Sequence, residues 1–278
     1  MEYKITNRGA EIYNMSSLKL AETFDCGQCF RWEPSSSNDD IYQKFSAVVR
    51  GRYTTVYKDG DTLVIENCTD EELKNIFIEY FDLSLDYDAV RKSLVEKFPI
   101  LKDAAETTSG IHILAQEPWE ALCSFIISQN NNIPRIKGII SRLCEGFGKK
   151  CGESYTFPSA ETLAVLEPDD LKDLRAGFRA GYIIDAARKV ANGEVDLNAL
   201  KNMPIESARE KLMQIRGVGT KVAECTLLYG LHRLEAFPID TWIKKAMSTL
   251  YKNLKPTDFG EYAGIAQQYI FVQIRNKG

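Results

Sequence analysis

The chain has little that would suit a membrane or an export route. No window approaches the roughly eighteen consecutive apolar residues of a spanning helix. The opening stretch MEYKITNRGAEIYNMSSLKL lacks a basic head followed by an apolar run, so it does not read as a secretory signal. A disulfide framework is missing too. Seven cysteines, an odd number spread from Cys26 to Cys225, read as reduced thiols in a reducing compartment. Cys26-Gly-Gln-Cys29 is a formal C-x-x-C, but no second such pair or histidine pair completes a zinc site. No thioredoxin-like βαβ pattern surrounds it, which leaves a structural role at a strand end. There is no repeat of fixed period and no low-complexity segment. With 44% apolar and 27% charged residues, wholesale disorder is excluded and a cytoplasmic globular protein is expected. Its 278 residues suffice for one large or two to three small domains.

Positive charge is also in short supply overall, at a net −4, but the average hides a gradient. Residues 1–120 carry 13 Lys/Arg against 22 Asp/Glu, residues 121–200 carry 10 against 10, and residues 201–278 carry 12 against 7. A polyanion would meet the C-terminal part, and the acidic average does not exclude nucleic acid.

What is present divides in two. FSAVVRGRYTTVYKDGDTLVIENC alternates β-branched and aromatic residues and breaks at Arg-Gly-Arg and Lys-Asp-Gly-Asp, as hairpins do. PSSSNDD (34–40) reads as a polar loop. From TDEELKNIFIEYF onward, with Thr69 as N-cap, helical periods run to the end with short Gly-, Pro- or Asp-bearing loops, the last period being GEYAGIAQQYIFVQI from Gly260. The prediction is an α+β protein: an antiparallel sheet domain over 1–85, then an all-helical body over 86–278.

Within that body, IRGVGTKVAEC (215–225) places Lys221 behind a Gly-Val-Gly turn, at the start of a helix. A cation there opposes the helix dipole, so stability does not ask for it. Residues 205–230 thus read as helix, tight turn with Gly217 and Gly219, helix. Such a hairpin points backbone N–H groups outward, where they can bind phosphate without reading sequence; a plain αα corner with packing glycines is the competing reading. A loop over 231–240 then ends in FPID, and Asp240 is the natural N-cap of TWIKKAMSTLY. Two helix starts joined by a short connection can face one cleft.

At this point the chain closely resembles the helix-hairpin-helix superfamily of DNA glycosylases, and within it the 8-oxoguanine DNA glycosylase family shared by eukaryotes and some bacteria. The resemblance rests on CGQCFRW (26–32), CSFIISQNNNIPRIKGIISRLCEGFG (123–148), GFRAGY (177–182), IRGVGTKVAEC, FPID (237–240) and YAGIAQQYIF (262–271), in family order over nearly the whole chain. It implies a bifunctional enzyme that flips 8-oxoguanine out of duplex DNA, preferably from opposite cytosine, and nicks the abasic strand by β-elimination.

The resemblance further implies that Lys221 is the nucleophile that displaces the base and forms a Schiff base with the opened sugar. An amine does this only when neutral, and a helix N-terminus inside an apolar cleft disfavours the ammonium. Asp240 is then the carboxylate that stabilises the forming cation and accepts a proton. Cys225 and Phe271 sandwich the purine. Gln267, on the same face as Phe271, reads its Watson–Crick edge. 8-Oxoguanine carries N7–H where guanine has a bare N7, and the family's main-chain acceptor for that proton maps to Gly27. Asn130 fills the gap left by the flipped base, and Arg135 and Arg179 read the orphaned cytosine. Phe178 stands where eukaryotic members usually have tyrosine, keeping an aromatic wedge without its hydroxyl. Trp242 stands where they tend to have histidine, which bears on one phosphate or 5′-side contact. No metal or organic cofactor is implied. An iron–sulfur cluster of the related type is excluded because no cysteine follows Cys225; main-chain carbonyls near Met213, Ile215 and Val218 are the groups that would hold a hairpin cation. The enzyme is expected to act as a monomer on DNA, at the bacterial nucleoid or in a nucleus.

Three other readings compete, the most remote a cysteine-based redox enzyme built on CGQC. A monofunctional alkyl-base glycosylase of similar build lacks the hairpin lysine. A non-catalytic helix-hairpin-helix module needs neither Lys221 and Asp240 nor the Gln267/Phe271 pair.

Overall fold

The computed structural model describes residues 1–35 and 42–277, the side chain of residue 277 excepted. Strands β1 (Tyr3–Thr6), β2 (Gly9–Ile12), β3 (Glu33–Ser35), β4 (Lys44–Val49), β5 (Arg52–Asp59) and β6 (Thr62–Glu66) form one antiparallel sheet in the order β1-β2-β6-β5-β4-β3. The two turns expected from Arg-Gly-Arg and Lys-Asp-Gly-Asp join β4 to β5 and β5 to β6, with Val49 opposite Arg52 and Asp59 opposite Thr62. Of the polar loop expected over 34–40, the first two residues belong to β3 and the remainder lies outside the described residues.

Thr69 is an N-cap as expected. Its hydroxyl accepts from the Glu72 N–H, and the Glu72 carboxylate accepts from the Thr69 N–H in return. The helical run that follows packs Leu73, Phe77 and Phe81 onto the sheet face carrying Ala47, Val49, Val56, Leu63 and Ile65. Phe24 and Trp32 stack in the same core, rings parallel within 8° at 4.2 Å. A second, larger core takes in Phe30 from the N-terminal part and then runs from Tyr87 to Ile274 through the helical part.

Several expectations need correction. The Cys26–Cys29 stretch follows a short helix, Leu20–Asp25, rather than ending a strand. Both its thiols donate to carbonyls of that helix, and burial pushes Cys26 up to about 12 and Cys29 well above its ordinary value. Such thiols are neither nucleophiles nor easy metal ligands. The helical body also contains a small hairpin, β7 (Lys150–Cys151) with β8 (Ser154–Tyr155). Residues 260–262 do not begin the last helix, because Gly260 takes φ 65°, ψ −138°, and the helix starts at Ala263. No helix among the described residues is long and apolar enough to cross a membrane.

His112 sits between the two cores. Its Nδ1 donates to the Phe81 carbonyl at 3.2 Å, which leaves Nε2 to accept from the Ser17 hydroxyl at 3.3 Å, and its ring stacks 3.8 Å from Tyr87. Burial pushes this imidazole from 6.5 down to about 4. The unfolded chain therefore binds a proton that the folded one refuses, so stability falls as pH drops from about 6.5 towards 4. The expected loss is about 3 kcal/mol. Urea unfolding at stepped pH should show it, and His112→Gln should flatten that part of the profile.

Candidate active site

The hairpin is built from helices Ile205–Leu212 and Thr220–Tyr229. Its turn is closed by Ile215 N–H to the Leu212 carbonyl at 3.1 Å and Val218 N–H to the Ile215 carbonyl at 3.0 Å. Gly217 has φ 80°, and a Cβ there would lie 2.2 Å from the Tyr182 ring. Both facts demand glycine. Gly219 differs: its φ is −96°, it occupies the N-cap, and a Cβ would meet nothing within 4 Å. No side chain caps this helix, so its first N–H groups remain available to an anion. Gly217→Ala should lower stability by about 2 kcal/mol and weaken duplex binding, as thermal melts and a salt-matched binding isotherm would report.

Lys221, half-buried, begins the second hairpin helix with its Nζ 3.4 Å from the Ser128 hydroxyl and 5.2 Å from the centre of the Phe125 ring. Asp240 caps helix Thr241–Thr249, Oδ1 accepting from the Ile243 N–H at 2.8 Å. The carboxylate is thus oriented by a cap while its second oxygen is left for other work. Glu224, three residues after Lys221 and only 5% exposed, fixes the loop before it. It accepts from Arg209 on the first hairpin helix and, at 2.7 Å, from the Phe237 N–H. The hairpin and the Asp240 loop are thereby tied together.

Lys221 and Asp240 share one inner cavity of about 50 Å³ with Gly27, Cys225, Gln267 and Phe271. All six residues predicted for chemistry and base recognition are brought together. The cavity has room for one or two waters, so a base enters only as its walls part. It adjoins a cleft of about 780 Å³ that shares Gly27, Phe125, Lys221, Asp240 and Phe271 and continues past Asn130, Gly219 and Trp242.

Each wall has a physical character. Burial pushes the Cys225 thiol up to about 11 against the opposing pull of Lys221, so the wall is a neutral thiol. Gly27, at φ 84°, lies under the Phe271 ring. Gln267 is 3% exposed and its Oε1, fully buried, has no hydrogen-bond partner among the described residues. An acceptor left bare in this way costs about 1–3 kcal/mol, which a ligand bringing an N–H donor would recover.

The residues predicted to hold the duplex are spread more widely. Asn130 is exposed at φ 45°, a left-handed conformation asparagine tolerates. Asn132 caps the next helix by accepting from the Arg135 N–H at 3.0 Å. Phe178 is 56% exposed. With Arg135, Lys172, Arg175, Tyr182 and Arg216 it lines a separate basic cleft. Trp242 is half-buried, with Lys245 Nζ 5.8 Å from its ring centre. Arg179 is the exception. It is 3% exposed and donates inward to the carbonyls of Gln129, Asn130 and Ala176, its guanidinium also 4.5 Å from the Phe178 ring. In this form it braces the Asn130 turn and does not face a base, because a planar five-donor group buried beside three free carbonyls satisfies them first. Among the described residues no group of three or more His, Cys, Asp or Glu could hold a metal.

Sequence reasoning missed Tyr229, Gln268 and Glu224. Tyr229 follows Lys221 and Cys225 at four-residue steps, so helical spacing could have placed it on the cavity.

This arrangement coincides with two family models. Residues 12–122 match the 8-oxoguanine DNA glycosylase N-terminal domain, and residues 123–258 match the helix-hairpin-helix-GPD superfamily of base excision DNA repair proteins. An N-glycosylase/DNA lyase of Saccharomyces cerevisiae is 34% identical over 91% of this chain and 72% of its own length. The chain belongs to this glycosylase family. Among solved relatives, an 8-oxoguanine glycosylase/lyase of Clostridium acetobutylicum, bound to double-stranded DNA with cytosine opposite 8-oxoguanine, superposes with a TM-score of 0.90 at 35% identity, covering 100% of this chain and 98% of that one. MBOgg1, solved with a low-affinity DNA ligand, gives 0.92 at 39% identity over 100% of both chains. The helix-hairpin-helix glycosylase fold therefore accounts for the whole chain, the sheet included.

Proposed function

We propose that Lys221 and Asp240 carry out 8-oxoguanine excision and abasic-strand cleavage in base-excision repair, acting on a base held among Gly27, Cys225, Gln267 and Phe271. The observation that carries this reading is the unpartnered Gln267 Oε1, buried in the same small cavity as Lys221 and Asp240. The Watson–Crick edge of a guanine offers N–H donors to that oxygen, while the Gly27 carbonyl accepts from N7–H. Cys225 and Phe271 close on the two faces of the ring.

The Lys221 amine attacks C1′ and the bond to the base breaks, its electron pair leaving on the purine, which takes up a proton. Asp240 stabilises the positive charge that develops at the sugar and accepts the proton the amine sheds. Ring opening gives the Schiff base, and loss of a proton from C2′ expels the 3′ phosphate. The uncapped N–H groups behind Gly219 hold a phosphate of the duplex, aided by Gly217. Asn130 occupies the vacated stack. Arg135 reads the estranged cytosine, and Arg179 reaches it only after releasing the carbonyls it now holds. Phe178 wedges beside it, and Trp242 packs against the strand on the 5′ side.

We read the chain as a sheet unit (1–85) and a helical unit (86–278), a division that the two cores support apart from Phe30 and Leu114, which cross it, and place the monomer wherever the chromosome lies. The test is borohydride trapping with duplexes bearing one 8-oxoguanine opposite cytosine, one 3-methyladenine or one undamaged guanine. A covalent adduct only with 8-oxoguanine supports the reading. Release of 3-methyladenine with no adduct would favour the alkyl-base alternative.

A further inference from the structure

Gly27 presents a difficulty for the reading above, on which the following rests. A glycine peptide bond flips easily, yet its carbonyl is asked to tell N7–H from a bare N7. Two clamps lie on either side of it. After it, the Gln28 side chain is fully buried, donating to the Thr23 carbonyl at 2.9 Å and the His112 carbonyl at 2.8 Å, while the Gln28 main-chain carbonyl accepts from Gln116 Nε2 at 2.6 Å. Before it, the Cys26 carbonyl accepts from Gln268 Nε2 at 2.9 Å, and Gln268 Oε1 accepts from the Tyr229 hydroxyl at 2.6 Å. Gln268 is 1% exposed and Tyr229 4%. The Cys26 carbonyl can only accept, which turns the amide nitrogen towards it and leaves the amide oxygen to accept from the Tyr229 hydroxyl.

We infer that the Tyr229–Gln268–Cys26 relay is a specificity-determining support that sets the Gly27 carbonyl to select 8-oxoguanine over guanine. Tyr229 lies on the helix that carries Lys221 and Cys225, and Gln268 lies on the helix that carries Gln267 and Phe271. The relay therefore references the damage-reading carbonyl to both sides of the base pocket. Gln268 itself lines no part of the inner cavity and is a positioning residue.

The test compares wild type with Gln268→Met, which keeps the length and loses both hydrogen bonds. Three single-turnover rates are measured: excision of 8-oxoguanine, excision of guanine, and cleavage at a pre-formed abasic site, which needs no base reading. The preference for 8-oxoguanine over guanine should fall by about tenfold, with abasic cleavage within about twofold of wild type. Tyr229→Phe removes a single hydroxyl and should lower the same ratio, which keeps the test open if Gln268→Met does not fold. An unchanged ratio in a selective background overturns the relay, as does an equal fall in all three rates, the mark of general destabilisation. If wild type itself shows no preference for 8-oxoguanine, the Gly27 reading fails, and the relay with it.

Discussion

Lys221→Gln should abolish the borohydride adduct and reduce excision of 8-oxoguanine by at least about 10⁴-fold, the scale on which loss of a covalent nucleophile is felt. Glutamine keeps the stem length and a polar head but has no basic amine, so no Schiff base can form. The contacts of Lys221 in the free protein are weak, a long hydrogen bond to Ser128 and the face of Phe125. Removing them costs little. Taking a cation away from a helix N-terminus should even return about 0.3–1 kcal/mol. The variant should therefore melt at or slightly above the wild-type temperature and bind an 8-oxoguanine duplex with near wild-type affinity. That combination, a dead enzyme with an intact fold and intact binding, marks a chemical role. Persistence of the adduct in the variant would remove Lys221 from the mechanism.

Asp240→Asn separates the two jobs of one side chain. Asparagine ranks with aspartate as an N-cap, so its amide oxygen can still accept from the Ile243 N–H and helix Thr241–Thr249 should keep its start. Only the charge is lost. Excision should slow by about 10²–10³-fold, the range seen when one group aimed at transition-state charge is removed, with Tm and duplex affinity almost unchanged. Asp240→Ala should show the same loss of rate and in addition about 1 kcal/mol of stability, because the cap goes too. Should Asp240→Asn retain full activity, the carboxylate would be a cap and nothing more.

The elements legible in the sequence were those whose signal is local. The β4–β5 and β5–β6 hairpins announced themselves by alternation and turn residues, and Thr69 and Asp240 are caps that bond within three residues of themselves. Gly217 was marked by a turn that only glycine fits. What escaped was weakly periodic or decided by neighbours. The helix Leu20–Asp25 has six residues, too few for a period to register, and its absence led Cys26–Cys29 to be read as a strand end. The last helix was begun too early because Gly260 sits inside an otherwise helical pattern.

The candidate site divides along the same line. By its order of motifs the sequence determined which residue types are present and where they begin helices: an amine at an uncapped helix start, a carboxylate at a capped one, a glutamine and a phenylalanine four apart on one face. Those follow from bonding and spacing along a single segment. Only the tertiary structure decided that residues 27, 221, 225, 240, 267 and 271 enclose one cavity, that Gln267 is left without a partner, that Arg179 is turned inward, and that Tyr229 and Gln268 hold the Cys26 carbonyl. These depend on contacts between segments up to 242 residues apart, and a hydrogen bond across that distance leaves no periodic trace in either segment. Packing selects such partners after the helices exist.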